Sequence, residues 1–151
     1  MIGLAGIIRI LDLEDEELMR EFLQSLPKET LDHWYPFGKV YSELMLQKVM
    51  SGKHIEIVCI DKGKIVAFGH INPKSRSVGA VSLYPGKGYG STIMEELIRI
   101  ARAKGYKYLL GSILNSNPGA LRFDLRFGFK VVRTSKDGIQ VRMDLVERHD
   151  K

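Results

Sequence analysis

The residues best suited to bind an anion are three closely spaced glycines, Gly86, Gly88 and Gly90, with Lys87 between the first two. An apolar run typical of a β-strand, residues 78–84, precedes them, and apolar residues at helical spacing follow. Backbone N–H groups in such a turn, together with the positive end of the helix, can bind a phosphate. The same glycines could also serve only to reverse the chain.

Two common phosphate-binding motifs do not match this turn. A P-loop requires glycine, four residues and then Gly-Lys-Ser or Gly-Lys-Thr, and the chain has no such string. A dinucleotide-binding fingerprint requires a third glycine where Ser91 stands and an acidic residue about 20 positions later, but residues 106–116 contain no acid. Both classes of nucleotide-binding protein are therefore disfavoured.

The elements that must position this turn form one predicted domain over residues 1–151. Hydrophobic periodicity and turn residues predict an α/β fold with a mixed sheet (α+β), in the order β-α-α-β-β-β-α-β-α-β-β. Strands are predicted at residues 4–10, 55–60, 65–71, 78–84, 108–114, 129–134 and 139–146, and helices at 12–26, 28–52, 93–104 and 118–127. Because hairpin turns are predicted after residues 60 and 134, a purely parallel sheet does not fit.

Composition narrows the class of protein further. The chain has 151 residues, of which 44% are hydrophobic and 27% are charged, as in folded soluble domains. No window approaches the roughly 18 apolar residues of a membrane span. The single cysteine, Cys59, excludes an intrachain disulfide and a cysteine-based zinc site, and it predicts a cytoplasmic protein without a bound metal.

Charge is distributed unevenly along the chain. Residues 1–61 carry 6 basic and 11 acidic side chains, whereas residues 62–151 carry 17 and 7. The basic excess indicates a phosphate-bearing partner, either a phosphorylated cofactor or nucleic acid, unless these side chains only form a solvated surface. Nucleic acid is disfavoured because no nucleic-acid-binding motif is present, and a homodimer is compatible with the sequence.

Two motifs carry a resemblance to the GNAT superfamily of acyl-CoA-dependent N-acetyltransferases. Gly88-Tyr89-Gly90 matches the glycines of the family's Arg/Gln-x-x-Gly-x-Gly/Ala turn between a strand and a helix. Asn117 and Ala120, followed by Gly128-Phe129, match a second signature, Asn-x-x-Ala with Gly-Phe downstream. The predicted order of elements is also similar to that of the family across nearly the whole chain.

The resemblance implies transfer of an acetyl group from acetyl-CoA to a primary amine by direct attack in a ternary complex. It implies that the pantetheine arm enters between two diverging strands, here at residues 82–84 and 110–114. The residues implied to bind acetyl-CoA are Leu83, Tyr84, Gly86, Lys87, Gly88, Tyr89, Gly90, Ser91, Asn117 and Ala120. The acceptor is a small-molecule or protein amine, and the region between the first two helices, often used for its recognition, carries His33, Trp34 and Tyr35. These aromatic residues either contact the amine or only pack.

The chain also departs from the family pattern. Pro85 stands where the first motif has Arg or Gln, and residues 78–84 lack the glutamate that members often carry. Asp124 stands where many members carry a tyrosine that protonates the leaving CoA thiolate. These departures keep open a second hypothesis, a catalytically impaired acyl-CoA-binding module of the same fold.

Three residues are therefore candidates for catalysis: Asp124, Tyr84 and His70. An Asp124 carboxyl with an ordinary pKa of about 3.9 would be ionised at pH 7, whereas burial would raise that pKa and permit proton donation; otherwise the residue is structural or binds substrate. Tyr84 supplies a hydroxyl that could replace the missing acid. His70 has an ordinary pKa suited to a general base, unless it is a satisfied strand histidine.

Overall fold

The computed structural model describes residues 6–30 and 41–145. In these ranges the strands are β1 (Ile7–Ile10), β2 (Ile55–Asp61), β3 (Lys64–Ile71), β4 (Val78–Ser82), β5 (Tyr108–Ile113), β6 (Lys130–Ser135) and β7 (Gly138–Asp144). The helices are α1 (Glu16–Ser25), α2 (Glu43–Met50), α3 (Tyr89–Ala103) and α4 (Pro118–Phe127). The predicted mixed α/β class is confirmed, and β4 ends two residues before the predicted end of that strand.

The strands form two antiparallel sheets that meet at a single point. The first sheet has the order β1-β2-β3-β4 and the second the order β5-β7-β6. A parallel bridge between Ser77 and Leu110 joins them, and there the Leu110 N–H donates to the Arg76 carbonyl at 2.9 Å. The Arg76 guanidinium also lies 3.6 Å from the centre of the Tyr106 ring, which adds a cation–π contact beside the bridge.

The apolar side chains of the first sheet alternate between two cores, as expected for strands covered on both faces. Val58 and Phe68 pack with α1 and α2, whereas Ile57 and Ile71 pack with α3. The second core continues into the second sheet through Leu109, so α3 is held against both sheets. The helix that follows the glycine turn is thereby fixed relative to the strands on either side of it.

A close approach at Gly69 sets how near α3 lies to β3. A Cβ atom built at this glycine would lie 2.3 Å from Ile93 Cγ2 and 2.9 Å from Leu97 Cδ1. Both neighbours are fully buried in the core and have little room to move. Only glycine fits here without displacing the helix.

We predict that Gly69→Ala lowers the free energy of unfolding by about 1–3 kcal/mol, because the added methyl group overpacks the interface between β3 and α3. Urea denaturation measures the loss. Gly119→Ala is the matched control, because the nearest atoms to a Cβ there are 3.9 Å away and the residue is helical. Equal stability of the Gly69 and Gly119 variants would contradict the packing argument.

Candidate active site

The glycine turn begins as a type II β-turn. Pro85 and Gly86 occupy its centre, and the Lys87 N–H donates to the Tyr84 carbonyl at 3.3 Å. Gly86 has a φ of 84°, which the second central position of a type II turn requires. Proline at the first central position, which replaces the polar residue of the family motif, therefore has a backbone role in this chain.

The turn ends at the N-terminus of α3. Gly88, with a φ of 90°, is the N-cap residue and has no side chain to bind the first N–H groups of the helix. The N–H groups of Tyr89, Gly90 and Ser91 belong to the first helical turn, which has no intrahelical acceptors. They point outward beside the exposed Lys87, an arrangement that can bind a phosphate group.

Tyr89 anchors this helix end to the first sheet. Its hydroxyl donates to Asp61 Oδ2 at 2.9 Å, at the end of β2, and its ring lies 6.3 Å from the Tyr84 ring. Tyr84 itself is half exposed beside the turn, so its hydroxyl remains a candidate proton donor.

The opening between β4 and β5 lies in front of the turn. Beyond the bridge at Ser77, no ladder joins these two strands in the described part of the chain. The Leu83 N–H donates to the Val66 carbonyl at 2.9 Å and thus points toward β3. Because backbone groups alternate along a strand, the N–H and C=O groups of Ala80 and Ser82 point into the opening instead. The implied contribution of Leu83 therefore cannot come from its N–H.

Helix α4 begins beside the opening and contacts the first turn of α3. Asn117 caps it by accepting the Ala120 N–H at 3.2 Å, and Pro118 follows at the first helical position, as the sequence predicts. Further along, the Phe123 ring lies 3.8 Å from the position of a Cβ at Gly90, inside the first turn of α3. The next residue, Asp124, faces β5.

Asp124 lies against the strand that borders the opening. Its Oδ2 atom is 3.2 Å from the position that a Cβ would occupy at Gly111, in the middle of β5. Burial raises the pKa of this carboxyl to about 6, so about a tenth of it is protonated at pH 7. Burial thus leaves a larger protonated fraction on Asp124 at pH 7 than an ordinary aspartate has.

A second group of titratable side chains lies on the face of the first sheet that packs against α1 and α2. Glu56 on β2 and His70 on β3 are cross-strand partners, and the His54 ring stacks on His70 at 5.4 Å. Glu56 is only 8% exposed, and burial raises its pKa to about 7. Burial and the neighbouring His54 lower the pKa of His70 to about 4. His70 is therefore neutral at pH 7 and a weaker base than its ordinary pKa suggests.

Glu56 is a candidate that the sequence analysis missed. It is the only charged residue within the otherwise apolar stretch 55–60, and alternation places it on the same face as Val58. A single acid at an inward position of a buried strand is the signal that could have identified it.

The aromatic residues predicted to contact the amine are outside the described residues. They are His33, Trp34 and Tyr35, in the segment 31–40. Among residues 6–30 and 41–145, no three His, Cys, Asp or Glu side chains are grouped so that they could hold a metal ion. No helix in the same ranges combines the length and apolar character needed to cross a membrane.

Comparison with known proteins identifies the family of this chain. The model of the acetyltransferase (GNAT) family matches residues 11–129, and the chain therefore belongs to the GNAT acetyltransferase family. A search of curated proteins gives no match.

Solved structures show the same fold. The GNAT domain of S. lividans PAT is 15% identical, with a TM-score of 0.83 over 93% of this chain and 90% of that one. The PaiA N-acetyltransferase from Thermoplasma acidophilum, in complex with coenzyme A, is 18% identical, with a TM-score of 0.71 over 93% and 99%. The ribosomal-protein-S18-alanine N-acetyltransferase from Escherichia coli is 16% identical, with a TM-score of 0.74 over 96% and 97%.

We predict that Glu56→Gln makes the protein more stable than the wild type at pH 8, by about 1–2 kcal/mol, with little difference at pH 5. The raised pKa means that the unfolded state ionises first as pH rises from about 4.5, so the wild type loses stability up to about pH 7, whereas glutamine cannot ionise. Urea denaturation at both pH values measures this change. Glu95→Gln, at an exposed position on α3, is the control. Parallel curves for wild type and Glu56→Gln would contradict the burial argument.

Proposed function

We propose that this protein is an N-acetyltransferase that transfers the acetyl group of acetyl-CoA to a primary amine by direct attack in a ternary complex. The observation that carries the proposal is the opening between β4 and β5. The glycine turn lies at its outer end, and Asp124 lies against the strand on its far side. Together these three features suit a thioester with a phosphorylated carrier arm: a phosphate site, an edge for the arm and a proton donor.

The residues present fit acetyl-CoA in two respects. Backbone groups of Ala80 and Ser82 point into the opening, where an extended arm with amide groups could pair with them as an added strand does. The N–H groups of residues 89–91 and Lys87 can hold the pyrophosphate. Asn117 and Ala120 lie at the start of α4, beside the same opening, and remain proposed contacts.

Asp124 is the proposed general acid. When the amine attacks the thioester carbonyl, the bond from carbon to sulfur breaks and the sulfur leaves as a thiolate. Asp124 donates its proton to that sulfur and is reprotonated from solvent afterwards. A carboxyl with a pKa of about 6 is a stronger acid than a tyrosine hydroxyl, so it can replace the tyrosine as a donor, although a smaller fraction carries the proton.

The other hypothesis, an acyl-CoA-binding module without turnover, predicts the same cofactor binding. It differs in predicting no release of free CoA with any amine. Neither Pro85, which fits its turn, nor Asp124, whose pKa is raised, gives this alternative specific support.

We predict that Gly88→Glu weakens acetyl-CoA binding at least about a hundredfold, because a carboxylate side chain would occupy the phosphate position and repel it. Isothermal titration calorimetry measures the affinity. Gly105→Glu is the matched control, since Gly105, like Gly88, has a positive φ (79°). It lies at the other end of α3, where a Cβ would meet no neighbour within 4 Å. Equal affinities of the two variants would place the cofactor elsewhere.

We predict that Asp124→Asn lowers kcat about 10²–10⁴-fold at pH 7, because the departing sulfur loses its proton donor. The wild-type kcat should also fall toward alkaline pH, because Asp124 is then ionised, and the variant should lack that decline. Steady-state release of free CoA across pH 5–9 measures both effects. Wild-type kcat in Asp124→Asn would exclude the residue as the acid, and Glu95→Gln should behave as the wild type.

A further inference from the structure

A pocket on the face of the first sheet opposite Asp124 has no assigned role. Its volume is about 430 Å³, and it lies between the C-terminal end of α2 and strands β2 and β3. The side chains that matter for its chemistry are Lys48, Lys53, His54, Glu56, Phe68 and His70. Its floor is the cross-strand pair of Glu56 and His70.

The Glu56 carboxyl forms part of this floor. More than nine-tenths of the residue is removed from solvent, and within residues 6–30 and 41–145 no side chain hydrogen-bonds to its carboxyl or forms an ion pair with it. A buried carboxyl of this kind has a high cost unless a cation or donor reaches it. An ammonium group entering the pocket would supply both.

The rim of the pocket is positively charged. Lys48 on α2 and Lys53 after it are both exposed. A compound with several ammonium groups would be repelled at this rim, whereas an amine that also carries a carboxylate would be attracted by the rim at one end and by Glu56 at the other.

The pocket lies next to the opening between β4 and β5. His70 pairs with Gly79 on β4, and Phe68 pairs with Val81 on the same strand. Adjacent strands are about 4.8 Å apart, so the floor of the pocket is one strand removed from the edge where the opening begins. Gly79 shares the face of its partner His70 and has no side chain, so no side chain from β4 separates His70 from that edge.

We propose that this pocket is the acceptor site, that it takes a small amine carrying a carboxylate, such as an amino acid, and that Glu56 accepts the proton of its ammonium group. The proposal rests on the acetyltransferase function above and names its substrate class. It also assigns the proton acceptor to β2, two strands from the opening, so the proton passes through the pocket by way of His70 or a water molecule.

The protons balance in this scheme. The ammonium group gives one proton to the Glu56 carboxylate, and its lone pair then forms the bond to the thioester carbon as the bond from carbon to sulfur breaks. The nitrogen loses its second proton to solvent, and the thiolate takes one from Asp124. Glu56 then releases its proton to solvent and Asp124 takes one back, so the net release is one proton per turnover. The new amide group is uncharged and no longer attracted by Glu56, while the carboxylate of the product keeps its charge.

The pH dependence of Glu56 reflects the groups that face it. His70 on β3 and His54 before β2 are both neutral at pH 7, because burial lowers the pKa of each. Lys48 on α2 and Lys53 stand at the rim, and from β1 the Arg9 guanidinium is paired with Asp15 at 2.6 Å. Since no cation at close range lowers its pKa, Glu56 is ionised above about pH 7 and protonated below it.

The test compares acceptors that differ only in their anionic end. Glycine, β-alanine, γ-aminobutyrate and longer ω-amino acids are each assayed beside their carboxamides, with release of free CoA as the readout. We expect at least one acid to have a kcat/KM at least about tenfold above its carboxamide. Lys53→Ala should remove that preference through KM with little change in kcat, and Lys107→Ala, an exposed lysine far from the pocket in the sequence, should retain it.

Glu56→Gln is the decisive variant. We expect unchanged acetyl-CoA affinity, a kcat at least about a hundredfold lower, and loss of the decline of kcat toward acid pH. Glu95→Gln should keep that decline. Retention of the wild-type kcat and pH profile in Glu56→Gln, or equal rates with acids and carboxamides in the wild type, would overturn the proposal.

Failure of the acetyltransferase function can be distinguished from failure of the pocket. If no amine releases CoA, the acids are titrated into the protein without acetyl-CoA while the ring protons of His54 and His70 are followed by NMR. Shifts in the wild type that are absent in Glu56→Gln would support the pocket as an amine site even then. Absence of shifts in the wild type would overturn it.

Discussion

The incomplete pairing of β4 with β5 is the constraint on which the rest of this structure depends. Two parallel strands whose backbones, among the described residues, pair only at Ser77 and Leu110 must leave backbone groups without strand partners as they diverge. Such groups are costly unless water or a ligand reaches them, so the opening has to stay accessible. The glycine turn and α4 are arranged around this edge, and α3 fixes the turn because Gly69 lets the helix approach β3 closely.

The first sheet separates the proposed proton donor from the proposed proton acceptor. Asp124 approaches the opening from the side of α3 and α4, whereas Glu56 and His70 lie on the side of α1 and α2. Burial raises the pKa of both carboxyls, Asp124 to about 6 and Glu56 to about 7. The two carboxyls titrate within about one pH unit of each other, and they lie on opposite faces of the sheet. The proposed mechanism uses this separation, with the donor bound on one side and the amine on the other.

Local sequence signals are sufficient to predict most of the helices and strands. The Asn117-Pro118 pair marks the start of α4, and the apolar alternation from residue 55 to residue 71 defines the hairpin of β2 and β3 with a turn at residues 62–63. The family motifs located the glycine turn and Asp124, but not whether that carboxyl could carry a proton. That property depends on burial against β5, which brings together residues far apart in the sequence.

The pocket could not be predicted from the sequence, because it too depends on contacts between residues far apart in the chain. Glu56 and His70 are 14 positions apart in the sequence and become neighbours only through strand register, while α2 encloses them from outside the sheet. The ordinary pKa of histidine makes His70 a candidate general base from sequence. Its surroundings in the fold lower that pKa to about 4. A pattern of residue types shows which groups can titrate, but the packing around them determines at what pH they do so.

The bridge between the two sheets has a consequence for how the chain folds. Residues 7–82 supply the first sheet and residues 108–144 the second, so each sheet is built from its own continuous stretch of sequence. Within each stretch most neighbouring strands are joined by short connections, whose closure costs little entropy. In residues 6–30 and 41–145, strand pairing across the two stretches is confined to Ser77 and Leu110. The amide proton of Leu110, donated to Arg76, is therefore a single-site reporter in hydrogen exchange of whether the two halves have joined.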